Sequence, residues 1–155
     1  IVIGLFGVLD HSGFYPILFK EVNRVLKKNG LFLFTVLNKF AIDWFLKIIS
    51  NPKLFWKTIK KAKEPFTRVT IPLNKGGTVR IPTHYYQINE VLKIMKMNQF
   101  RVIKKYGIFS LLPMNFKAHK FRSYHEFLSK VERRFSSTFP FNFLGRYLGI
   151  LAMKT

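Results

Sequence analysis

A continuous apolar run, IVIGLFGVL over residues 1–9, ends on Asp10-His11-Ser12-Gly13, and a second apolar run, LFLFTVL, follows at 31–37. Apolar runs of this length without alternation are the mark of strands buried on both faces, as in parallel sheets. The segment between them, FYPILFKEVNRVLKKNG, carries helix punctuation. Pro16 stands in the first turn, where a missing N–H costs nothing. Leu18, Val22, Val25 and Leu26 recur at helical spacing. Lys27 and Lys28 in the last turn suit the helix dipole, and Gly30 is placed to close the helix in the left-handed conformation. Short loops on both sides make this a β-α-β unit, so the two strands are expected to run parallel with a right-handed crossover. That unit confines the chain to the α/β class.

The rest of the chain is read against it. AIDWFLKIIS and KLFWKTIKKAK suggest two short helices separated by Asn51-Pro52. RVTIPL and TVRIP suggest the strands of a hairpin, punctuated by Pro72, Asn74, Gly76, Gly77 and Pro82. Ile88, Val91, Leu92 and Met95 predict an amphipathic helix, RVIKKYGIF a strand, and YHEFLSKVERRF a basic helix. The closing LGRYLGILAMKT suits a final strand.

Composition narrows the class of protein. With 48% hydrophobic and 17% aromatic residues over 155 positions, disorder is excluded and a real core is affordable. The absence of cysteine excludes disulfides and thiolate metal sites. No apolar run approaches the roughly 18 residues that a membrane-spanning helix requires. The opening run lacks the basic segment and small-residue cleavage site of a signal peptide, so a cytoplasmic location is expected. The net charge of +20 would attract nucleic acid or anionic lipid. The basic residues are spread along the chain and are mostly Lys, without an arginine-rich block or an RNA-binding aromatic signature, so a nucleic-acid partner is not favoured.

Three phrases carry a resemblance to a known family. The first is IVIGLFGVLDH, a helix ending RVLKKNG, and the strand LFLFTV. The second is THYYQINEVLKIMKMNQFRVIKKYG, and the third is LGRYLGILAMKT. In this order they resemble the C-terminal half of a class I S-adenosylmethionine-dependent methyltransferase, of the methyltransferase type 11 or quinone-biosynthesis kind. The family shows an apolar strand with a Leu-acid-His phrase, a helix reading "RvLkpGG", a "hyYs" phrase before a helix, and "aGF" leading into a strand. Gln87 stands where the family has a capping Ser, and Gln99 where "aGF" has Gly. The resemblance implies a Rossmann-like fold in which two parallel strands with a crossover helix are followed by a final antiparallel strand pair. It also implies a single partial domain over 1–155 with a helical cap insert over 40–83. The glycine-rich turn that cradles the cofactor, and the acidic residue that takes the ribose hydroxyls, do not occur here. In the family they precede the strand at which this chain opens, so truncation inside the domain is expected, and the chain by itself is expected to be inactive.

Ligands of open α/β sheets lie outside the carboxyl ends of the strands. By resemblance, Leu5, Phe6 and Gly7 would border the methionine part of S-adenosylmethionine; the alternative for Phe6 is a place in the sheet–helix core. His11, beside Asp10 at the same strand mouth, is the first choice for a catalytic base, because histidine accepts protons near neutrality; the alternative is a loop histidine capping the next helix. His84, Tyr85 and Tyr86, with Trp44 of the insert, are the candidate acceptor-binding residues, unless the tyrosines pack against the insert. His119 and His125 read as solvated surface. No pair of histidines or carboxylates has metal-ligand spacing.

The expected activity is methyl transfer to a small or medium-sized acceptor, this chain supplying the acceptor side of the site. Trp44, Phe45, Phe55 and Trp56, set among many lysines in 41–63, form either a lid or a peripheral membrane contact. Two other readings stay open: a basic non-catalytic module binding RNA or anionic membrane, and a degenerate methyltransferase-like subunit of a catalytic partner.

Overall fold

The computed structural model describes residues 1–11, 15–42, 49, 67–72, 76–111 and 122–155. The helices expected over 41–63, with Trp44, Phe45, Phe55 and Trp56, fall outside the described residues, as does His119. The opening unit is β1 (Val2–Gly4), α1 (Tyr15–Val25) and β2 (Leu31–Leu37), and β1 pairs with β2 in parallel, Val2 opposite Phe32. A hairpin of β3 (Thr67–Pro72) and β4 (Thr78–Thr83) forms a separate two-stranded antiparallel sheet. Then come α2 (Ile88–Met97), β5 (Phe100–Ile108), α3 (Arg122–Phe135), the short α4 (Phe141–Leu144) and β6 (Tyr147–Lys154).

The main sheet has the order β1-β2-β6-β5. The last strand enters between β2 and β5 and runs antiparallel to both, so that β2 and β5 point the same way. The expected final antiparallel pair is therefore present, with β6 also closing onto the parallel unit.

One face of the sheet carries the core. Phe32, Phe34 and Val36 lie at alternate positions of β2 and meet Leu148, Ile150 and Ala152 of β6. Phe19, Val22 and Leu26 of α1 and its following turn, and Val91 and Met95 of α2, cover this face. Phe32 and Phe34 stack with ring centres 4.6 Å apart, and Phe19 sets its edge against both, at 5.9 and 5.3 Å.

Local details depart from the sequence expectation for identifiable reasons. The left-handed residue after α1 is Asn29, at φ 63°, and not Gly30. Gly30 is required instead for room: a Cβ there would lie 2.7 Å from the Lys27 carbonyl oxygen. The α1 carbonyls are capped from the far end of the chain, where Lys154 Nζ donates to the carbonyl oxygens of Asn23 (2.6 Å) and Leu26 (2.8 Å). Gln87 caps α2 in extended conformation, and its N–H is taken by Glu90 Oε2 at 3.4 Å, three residues on. Gln99 adopts φ 58°, the conformation that favours glycine. Nor is β1 covered on both faces: Ile3 is 62% exposed, because alternate residues point to opposite faces and it is the Val2 side that packs against the core.

Candidate active site

The loop from Leu5 to His11 leaves β1 at its carboxyl end and is shaped by two left-handed residues, Phe6 at φ 47° and Gly7 at φ 100°. Its bonds fix it to β2. Thr35 Oγ1 accepts the Phe6 N–H at 2.7 Å, and Asp10 Oδ1 accepts the Leu37 N–H at 2.7 Å. From the other side, the residues joining β4 to α2 press in. The His84 N–H donates to the Asp10 carbonyl at 2.8 Å, and Tyr86 Oη donates to the Leu9 carbonyl at 3.1 Å. Tyr86 also bridges β2, with its N–H on the Leu37 carbonyl and its own carbonyl accepting the Lys39 N–H. Residues 9–11, the end of β2 and residues 83–86 thus converge at one end of the sheet.

Asp10, His11 and His84 lie along this convergence, with Glu90 behind His84. Asp10 is wholly buried, and its Oδ2 meets no donor among the described residues. Burial raises its carboxyl from the ordinary 3.8 to about 6, against the opposing pull of the Leu37 N–H and of His11 and His84. His84 is buried, its Nε2 lying 2.8 Å from Glu90 Oε1, with its ring edge-on to Tyr86. His11 is half-buried, with Nδ1 3.1 Å from Thr83 Oγ1 and 3.4 Å from the Pro82 carbonyl. The Thr83 hydroxyl donates to the Ile81 carbonyl at 3.3 Å, so it accepts from His11, and both partners place the His11 proton on Nδ1. Nε2 is left with the lone pair. Gly7 makes room for this ring: a methyl group there would lie 3.0 Å from Cδ2 and 3.3 Å from Nε2.

On the side of the loop facing α3, a hollow of about 430 Å³ opens. Leu5 and Phe6 form one wall, Leu33 and Thr35 of β2 the floor, and Arg133 and Ser129 of α3 stand opposite. Phe6 is 58% exposed, with its ring edge-on to Tyr147 at 5.5 Å, so it does not fill the core.

The structure therefore brings His11, His84 and Tyr86 together and sets Leu5 and Phe6 against the hollow, while Gly7 lies between the two groups. Tyr85 is half-buried in the same segment, whereas Tyr86 is fully enclosed and supports the site from within the core. Trp44 lies outside the described residues. Thr83, Thr35 and Glu90 join the site without having been singled out in the sequence. Glu90 carried one signal, its position three residues after the cap; Thr83 bonds a ring 72 residues away and carried none. No helix among the described residues is long and apolar enough to cross a membrane, and no three potential metal ligands cluster there.

A parallel strand pair with its crossover helix, closed by a last strand antiparallel to its neighbours, and a polar cluster at the carboxyl ends define the class I S-adenosylmethionine-dependent methyltransferase fold. Two solved structures share it. A protein assigned as an S-adenosylmethionine-dependent methyltransferase from Listeria monocytogenes is 16% identical with a TM-score of 0.55, over 99% of this chain and 60% of that one. The CcbJ methyltransferase from Streptomyces caelestis is 11% identical with a TM-score of 0.51, over the same shares. By sequence, the chain is 36% identical over 107 residues to uncharacterized protein MJ1252 of Methanocaldococcus jannaschii, which is 68% of this chain and 41% of that protein. No protein-family model matches. The chain thus spans about 60% of these solved chains and less than half of the archaeal relative.

Proposed function

We propose that this chain supplies the acceptor side of an S-adenosylmethionine-dependent methyl-transfer site, with His11 as the proton acceptor and His84, Tyr85 and Trp44 around a small or medium-sized acceptor. The observation that carries the proposal is the clamped His11 ring at the carboxyl end of β1, on a sheet of methyltransferase fold. When bound, S-adenosylmethionine supplies an electrophilic methyl group on its sulfonium sulfur. The residues present fit one side of that group. The exposed Phe6 ring and the Leu5–Gly7 turn offer an apolar wall at a strand end, while the strand-end carboxylate found there among the described residues, Asp10, is buried and bonded to Leu37.

His11 holds its Nδ1 proton on Thr83 and Pro82, so Nε2 is oriented to take a proton from an O–H or N–H acceptor as the new bond forms. The Thr83 and Pro82 contacts fix the tautomer, as the partner of a catalytic histidine must. His84, held by Glu90, closes the same end of the cluster.

The test is methyl transfer by the whole protein across a panel of hydroxyl and amine acceptors, with cofactor affinity read separately by calorimetry. His11→Asn is expected to lower kcat by about 10²–10⁴-fold while leaving cofactor affinity essentially unchanged. Full activity in His11→Asn would overturn the assignment of the base. No methyl transfer together with no cofactor binding by the whole protein would overturn the reading altogether.

A further inference from the structure

Six of the described cations stand on the outer faces of α1 and α2 and in the turn that follows α1. On α1, Lys20 and Arg24 share the outer face with Ile17, Glu21 and Val25, and Lys27 and Lys28 follow in the turn; on α2, Lys93 and Lys96 share the outer face with Met97. The two helices lie on the same side of the sheet, and their outer faces meet at a groove of about 490 Å³ where Lys20, Arg24 and Met97 face one another. Asn23 Nδ2 donates to the Asn98 carbonyl at 2.6 Å across this junction. The helix C-termini gather where β2 and β5 begin, with the Asn29 N–H on the Lys154 carbonyl and the Thr155 N–H on the Gln99 carbonyl. That is the end of the sheet remote from the 5–11 loop.

Against these six cations the same faces carry one carboxylate among the described residues, Glu21, which pairs with Arg24 at 2.8 Å. Glu90, also on α2, is turned to His84. Among the cations stand three large apolar side chains open to solvent: Ile17 and Val25, each 58% exposed, and Met97, 74% exposed. No described aromatic residue is exposed on these faces for stacking on bases, and five of the six cations are Lys, not the forked Arg that reads phosphate and base edges.

We propose that the outer faces of α1 and α2 form a docking surface for an anionic lipid bilayer. The lysines meet the negative surface potential, and Ile17, Val25 and Met97 enter the headgroup region. The inference does not depend on the methyl-transfer reading. It is also distinct from a contact through 41–63.

The experiment is co-sedimentation of the full chain with vesicles of phosphatidylcholine alone and of phosphatidylcholine mixed equally with phosphatidylglycerol. Binding is expected to the mixed vesicles only, and to weaken as salt is raised. The triple substitution Lys27→Gln, Lys28→Gln, Lys96→Gln is expected to weaken it by about a hundredfold. Met97→Ser is expected to weaken it by about tenfold, while leaving any binding to single-stranded RNA unchanged. All four positions are exposed, so the fold is expected to persist, as thermal melting would confirm; should the triple variant fail to fold, Met97→Ser alone decides. Equal binding to both vesicle types, unchanged binding of a folded triple variant, or RNA binding tighter than vesicle binding with Met97→Ser without effect on either would each overturn the proposal.

Discussion

Asp10 is the residue whose environment differs most from water. Its carboxyl lies at about 6 in the fold against 3.8 ordinarily, because burial opposes its charged form more than the Leu37 N–H and the two histidines favour it. The folded state therefore holds the proton longer than the unfolded chain does. Below pH 3.8 both states are protonated and the group makes no difference. As pH rises from 3.8 to 6, the unfolded chain releases its proton first, and stability is expected to fall by about 3 kcal/mol before levelling. Urea unfolding followed across this range checks it, and Asp10→Asn is expected to remove that part of the slope. At this scale the site was half legible. Asp10 and His11 could be read as polar residues following an apolar strand, and His84 as part of the phrase before a helix, but the tautomer of His11 rests on Thr83 and Pro82, which approach only through the fold. Gln99 shows the converse. By the family resemblance glycine is expected at this position, and the φ of 58° that Gln99 adopts gives a physical reason for it, an L side chain in that conformation costing about 1 kcal/mol.

Among the elements, those with strong periodicity were read correctly from the sequence. The spacing of Ile88, Val91, Leu92 and Met95 matches α2, and RVTIPL and TVRIP match the hairpin β3–β4. Termini were less legible, because their caps come from elsewhere. Lys27 and Lys28 were the expected partners of the α1 dipole, yet the carbonyls of Asn23 and Leu26 are held by Lys154, more than 120 residues later. Lys154→Met keeps the apolar stem and removes the donor, and is expected to cost about 1–2 kcal/mol. Chemical denaturation gives the loss, and hydrogen exchange is expected to place it in the last turn of α1. Strand β5 ends in a comparable long-range clasp, where Glu132 of α3 accepts the N–H groups of Phe109 and Leu111.

At the scale of the whole sheet, the strand order leaves β1 and β5 at its edges among the described residues. β1 pairs only with β2 among the described residues and leaves Ile3 62% exposed, an apolar template for another strand. The chain is expected to self-associate through this edge, and Ile3→Lys to shift sedimentation velocity profiles toward the monomer; an unchanged distribution would argue against edge pairing. The sequence by itself determined the α/β class, the parallel β1–β2 unit with its helix, and the apolar stripes that form the core. These follow from local periodicity and turn chemistry, which neighbouring residues specify without help. Only the tertiary structure decided that β6 lies between β2 and β5, that Thr83 clamps His11 and Glu90 holds His84, and that the cations of α1 and α2 share one surface. Each of those depends on contacts between segments distant in sequence, whose closure is set by burial of the common core and by no signal within the segments themselves.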